Sequence, residues 1–172
     1  MKNIFRVLFI QCAFLCAILS GTSALADVKA AVAGYKAKGA ELMGMINTGK
    51  VDTARAEKIV NEIAVHAKVI AENYAKKDPK AAKLIKFIID NTPNYLKMSA
   101  DAIEKDYHDG GKIDAKVVGI DIKLEENEKY TDPVHCYLHP FMTLAAIKAN
   151  DLKVAKEELT EGVEQAENAG KI

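Results

Sequence analysis

From Val28 to Ile46 the apolar positions fall at alternating intervals of four and three, through Val32, Tyr35, Gly39 and Leu42. Side chains at those intervals share one face of an α-helix. The pattern therefore predicts a helix over 27–47 that ends at the turn Thr48-Gly49-Lys50. Asp52 is placed to cap a second helix, whose inward stripe reads Ala56, Ile59, Ile63, then His66 or Ala67, then Ile70 and Tyr74. Asp78-Pro79 stops that helix and starts the next, because proline has no amide hydrogen to give a preceding turn while its fixed φ suits a first turn.

The next stretch, 79–109, is interrupted at Asn91-Thr92-Pro93, where Thr92 is a cap with proline behind it, and it stops at Gly110-Gly111. Between 114 and 130 two periods compete. Val118, Ile120, Ile122 and Leu124 alternate as in a strand, while Ile113, Val117, Ile120 and Leu124 fit a helical stripe; with no second strand to pair with, helix is the expectation. Thr131-Asp132-Pro133 repeats the cap-then-proline signature and opens a helix to about Ala149 with Pro140 inside it. After Asn150-Asp151 a last helix runs from Leu152 to Asn168, its apolar stripe narrow (Val154, Ala155, Leu159, Val163) and its remainder charged, as on a solvated face. The fold class expected is all-α: an antiparallel helical bundle of four to six helices, a single domain over 27–172.

The first 26 residues follow another pattern. Lys2 and Arg6 precede an apolar run from Val7 to Leu19 broken only by Gln11, and Ala24-Leu25-Ala26 sets small residues where a signal peptidase reads them. The run is shorter than the roughly 18 apolar residues a membrane anchor needs. Residues 1–26 are therefore expected to be a secretory signal peptide cleaved before Asp27, and the product a soluble protein of the periplasm or the secreted fraction with no membrane span after signal removal. Cys12 and Cys16 follow polar or bulky residues, which argues against a lipoprotein site.

Charge narrows the partners. The whole chain balances 24 basic against 24 acidic residues, and losing Lys2 and Arg6 leaves 22 against 24. Such a balance offers no electrostatic ground for nucleic acid or an anionic membrane. Of three cysteines only Cys136 lies beyond residue 26, so no intramolecular disulfide is expected, and the lone thiol must be buried, metal-bound or covered by a partner.

Chemistry concentrates in the histidines. In Asp132-Pro133-Val134-His135-Cys136-Tyr137-Leu138-His139-Pro140, His135 and His139 stand one helical turn apart with Cys136 on their flank, and imidazole and thiolate suit zinc, copper or iron. Two facts oppose the idea. Tyr137, Leu138, Phe141, Leu144 and Ala145 hold the opposite half of the wheel, which sets the His/Cys face at the surface or under another segment. Pro140 threatens to break the helix and with it the one-turn spacing. His66, at core spacing on the second helix, is either a neutral imidazole with both nitrogens hydrogen-bonded or an inward ligand that completes the set. His108, beside Asp106 and Asp109, reads as a helix-terminal cation.

Covalent c-type haem is set aside because Cys136 has no second cysteine for the attachment sequence; noncovalent haem through these histidines stays open. No phosphate loop, nucleophile elbow or His-Glu-x-x-His helix is present, so catalysis is not expected. Two functions remain: a binding module that holds a transition metal or noncovalent haem through His135, Cys136, His139 and His66, or a scaffold for a protein partner or homo-oligomer with no cofactor. The signal reading is checked by intact mass. The exported protein should begin at Asp27, and a mass that retains residues 1–26 would make the segment an anchor.

Overall fold

Every regular element that the structure, a computed structural model, describes is helical; the described residues are 27–79, 82, 83, 85, 86, 89, 90 and 131–171. The chain is thus all-α over these residues, with no strand among them. The expected signal segment, the break at Asn91-Thr92-Pro93, His108, the Gly110-Gly111 stop and the two-period stretch 114–130 lie outside the described residues.

Helix α1 spans 27–47 and buries Val28, Ala31, Tyr35, Gly39, Leu42 and Ile46, with Val32 half-buried. Its stop is chemical. Gly49 takes φ 71°, and the amides of Thr48 and Gly49 bond back to the carbonyls of Met45 and Ile46 at 3.1 Å each. Helix α2, Thr53–Ala75, is capped by Asp52, whose carboxylate accepts from the amides of Ala54 at 2.9 Å and Arg55 at 3.1 Å. Of the two residues competing for its inward stripe, Ala67 is buried and His66 sits at the rim. The described positions between 79 and 90 are also helical, and Ile85 joins the core.

Helix α3, Thr131–Lys148, runs unbroken through Pro140. Helix α4, Leu152–Gly170, follows after a turn in which Asn150 adopts φ 59°, the amide of Asp151 reaches the carbonyl of Ala146 at 2.9 Å and that of Asn150 reaches Ile147 at 3.0 Å. These are the two bonds of a Schellman stop, and asparagine is among the few side chains that tolerate its left-handed residue. Asp151 then caps α4 by accepting from Val154 N at 3.0 Å.

Helix α3 occupies the middle. Apart from His135, every residue from Pro133 to Ile147 is buried. It packs more extensively against α4 than against α2. The inward stripe of α4 is Ala155, Leu159, Gly162, Ala166 and Ala169, mostly small residues that let the two helices approach closely. Helix α1 runs along α2, with Gly34 against His66 and Lys38 paired to Glu62 at 2.6 Å. It also runs along α4, with Gly39 against Val163, Lys36 paired to Glu167, and Val32 against Gly170.

Why α3 survives Pro140 follows from hydrogen-bond accounting. Proline offers no amide hydrogen, so the carbonyl four residues back, that of Cys136, loses its helical donor. The Tyr35 hydroxyl of α1 donates to that carbonyl at 3.0 Å, inside the core. Burial raises the Tyr35 phenol well above its ordinary range, and Cys136 adds to the shift, so the hydroxyl stays a donor. Room for it comes from Gly162, where an added Cβ would lie 2.6 Å from the Tyr35 oxygen and 2.8 Å from His139 Cβ. Tyr35→Phe is expected to cost about 1–3 kcal/mol by leaving a buried carbonyl unpaired. In a Pro140→Ala background the new amide takes that carbonyl and the loss should shrink. Urea unfolding of the four variants measures this, and equal losses in both backgrounds would show that Tyr35 serves some other purpose.

Candidate functional site

Because α3 is continuous, His135 and His139 keep the one-turn spacing that Pro140 threatened. Their rings meet edge to face, with centroids 5.5 Å apart and planes at 89°. Of the two positions the wheel allowed for this face, the surface is excluded for His139, which is 4% exposed beneath α4. The polar face of α3 is buried because α1 and α4 cover it, something the wheel of α3 alone does not contain.

Helix α4 brings the partners. Glu158 Oε2 lies 2.7 Å from His139 Nδ1. A carboxylate only accepts, so Nδ1 carries the proton and the lone pair of a neutral ring resides on Nε2. That Nε2 is buried and has no hydrogen-bond partner among the described residues, while Glu161 Oε2 stands 3.8 Å from it. Gln165 Nε2 lies 3.3 Å from His135 Nδ1, and its Oε1 is buried with no hydrogen-bond partner among the described residues.

Cys136 is directed elsewhere. It is fully buried, its thiol donates to the Pro133 carbonyl at 3.4 Å, and burial pushes its ionisation far up, with the Asp132 carboxylate adding in the same direction. His66 lies flat on α1 at Gly34, where an added Cβ would come within 2.3 Å of its Cε1. So of the four side chains singled out in the sequence, the fold brings His135 and His139 together. It gives Cys136 and His66 separate surroundings. Among the described residues no three His, Cys, Asp or Glu side chains are gathered closely enough to hold a metal ion as they stand.

Glu158, Glu161, Gln165, Tyr35 and Gly162 are site residues that the sequence pattern does not single out. A signal for three of them exists. Glu158, Gly162 and Gln165 recur at intervals of four and three on α4, the side that carries the buried glycine, but a charge-rich helix with a narrow stripe reads first as a solvated face.

Comparison with known proteins adds no relative: no family model, no curated protein and no solved structure matches the chain. No described helix is long and apolar enough to cross a membrane. The function must then be argued from the site.

The surroundings of Cys136 yield a direct test. The thiol should resist Ellman's reagent in the folded protein and react in full once denaturant exposes it. Reaction in the folded state at the rate of an unstructured thiol would contradict its burial.

Proposed function

We propose that the chain is an exported, non-catalytic helical-bundle protein of the periplasm or secreted fraction that binds a transition-metal ion at the histidine pair of α3. The observation that carries this is His139 itself. One ring nitrogen is bonded to Glu158 at 2.7 Å and the other is a buried atom with no hydrogen-bond partner among the described residues. Metal-binding histidines almost always hold their second nitrogen on a hydrogen-bond acceptor such as a carboxylate, which orients the ring and raises its basicity. An unfilled buried nitrogen costs stability, and an ion supplies what it lacks.

The bundle reading, antiparallel and of four to six helices, draws support from the pairs along α1, where residues 34 and 38 meet 66 and 62 of α2, and 32, 36 and 39 meet 170, 167 and 163 of α4. Between the two ligand classes expected, the ion suits this geometry better than noncovalent haem. At Gly162 even one methyl group would press on His139 Cβ at 2.8 Å, which leaves no slot for a porphyrin between α3 and α4 there. The signal pattern of residues 1–26 supports export.

The second reading, a cofactor-free scaffold for a protein partner or another copy of the chain, is favoured by the exposed face of α1, where Ala30, Ala33, Ala37, Ala40 and Gly44 form a stripe of small residues.

The test is metal analysis of protein recovered from its own compartment, followed by melting with zinc, copper, iron or haem added. Binding to the folded state at a hundredfold excess over Kd contributes about 2.7 kcal/mol, a rise of several degrees in Tm. His139→Gln should remove the rise. Protein free of metal and haem, with a Tm that none of the additions moves, would overturn the reading and leave the scaffold.

A further inference from the structure

We propose that the ion is a divalent one of the zinc class, held by His135, His139 and Glu161, with Glu158 as the positioning residue of His139 and with Cys136 and His66 outside the set. The inference rests on the metal-binding reading above and specifies its ligands.

Distances carry it. Ligand bonds of about 2.0–2.2 Å around a tetrahedral ion set neighbouring donor atoms about 3.3–3.5 Å apart. Glu161 Oε2 lies 3.8 Å from His139 Nε2, and the Glu161 side chain is 62% exposed, so a small rotation brings it within that span. Two imidazoles on one such ion have ring centres about 5 Å apart by the same bond lengths. The rings of His135 and His139 are 5.5 Å apart. As it stands the group is open, and Glu161, 62% exposed, is the side chain with the freedom to close on it.

The two glutamates divide the work by burial. Glu158 is 18% exposed and bonded to Nδ1 of His139, on the side of the ring away from Nε2. It fixes the ring and cannot reach an ion bound to Nε2 without giving up that bond. Gln165 is placed to do the same for His135. If its amide turns over, its buried Oε1 accepts from His135 Nδ1–H and both rings then offer Nε2. Two nitrogens and one carboxylate oxygen, with water as the fourth ligand, form a borderline donor set, harder than one containing thiolate and softer than the all-oxygen shells of calcium or magnesium. Cys136 is excluded because its Sγ is bonded to Pro133 O and lies fully buried in the core, away from the side on which Glu161 meets His139.

The experiment uses the exported protein with zinc chloride as the probe, in calorimetric titration, with cobalt(II) absorption and X-ray absorption of the loaded protein as structural readouts. One zinc per chain is expected, with nitrogen and oxygen neighbours near 2.0–2.2 Å and no sulfur near 2.3 Å. Glu161→Gln should weaken binding at least tenfold and change the cobalt spectrum. Glu158→Gln should weaken it roughly 10–100-fold, as loss of an orienting carboxylate does, with stoichiometry unchanged and partial rescue by Glu158→Asp. Cys136→Ala should bind as the parent does.

The failures separate. Zinc binding that His139→Gln abolishes but Glu161→Gln leaves intact, or a sulfur neighbour in the absorption spectrum, overturns this ligand set and spares the metal reading. No zinc bound by the parent protein overturns both. Circular dichroism and melting of each metal-free variant show whether it is folded, and exposed Glu161 is the position where substitution disturbs the fold least.

Discussion

A single carbonyl without a helical donor organises this protein. Pro140 sits inside α3 and removes the amide that would have bonded the Cys136 carbonyl, and in a packed core an unpaired carbonyl is costly. Tyr35 of α1 repairs the defect from outside the helix, at 3.0 Å. The repair has its own requirement, since the phenol fits only where α4 presents a glycine, Gly162, to the same spot. Three helices are thus tied at one point by a proline that removes a donor, a tyrosine that supplies one and a glycine that makes room.

That tie also shapes the surroundings of the histidines. A helix kept continuous through Pro140 holds His135 and His139 one turn apart, and the close approach of α4 at Gly162 sets Glu158, Glu161 and Gln165 over them. Residue 162 faces both the Tyr35 hydroxyl and His139 Cβ, so the packing that satisfies the backbone is the packing that buries the imidazole. The polar cluster between α3 and α4 is a by-product of the same contact. Within it, His139 Nε2 is buried with no hydrogen-bond partner among the described residues, which is why the functional proposal is built there.

Legibility differs from helix to helix for physical reasons. In α1 and α2 the apolar stripe is one-sided and the stops and caps are explicit, so period alone assigns Tyr35, Leu42, Ile59, Ile63 and Ile70 to the interior, where they lie. Helix α3 misleads a wheel, because a helix buried on all sides has no solvent face to give it a contrast, and its polar residues are covered by neighbours rather than by water. In α4 the apolar stripe tells half: Ala155 and Leu159 are inward as expected, yet the continuation runs through Gly162, Ala166 and Ala169, whose small side chains carry little hydropathy signal. Glu158 sits among lysines and glutamates with nothing local to mark it as the one bonded to His139 Nδ1.

What the sequence by itself determined is local. Asp52 as a cap, the turns at Thr48-Gly49-Lys50 and Asn150-Asp151, and the period of α1 and α2 all follow from interactions within a few residues, so the order of residue types is enough to display them. What only the tertiary structure decided is which helix covers which. Whether Pro140 breaks α3 depends on a hydroxyl 101 positions away from the carbonyl it bonds, and whether His139 faces solvent or a carboxylate depends on a residue 19 positions later. No periodicity encodes such meetings, because they are set by how closely two helix surfaces approach and by which buried polar atoms then remain to be paired.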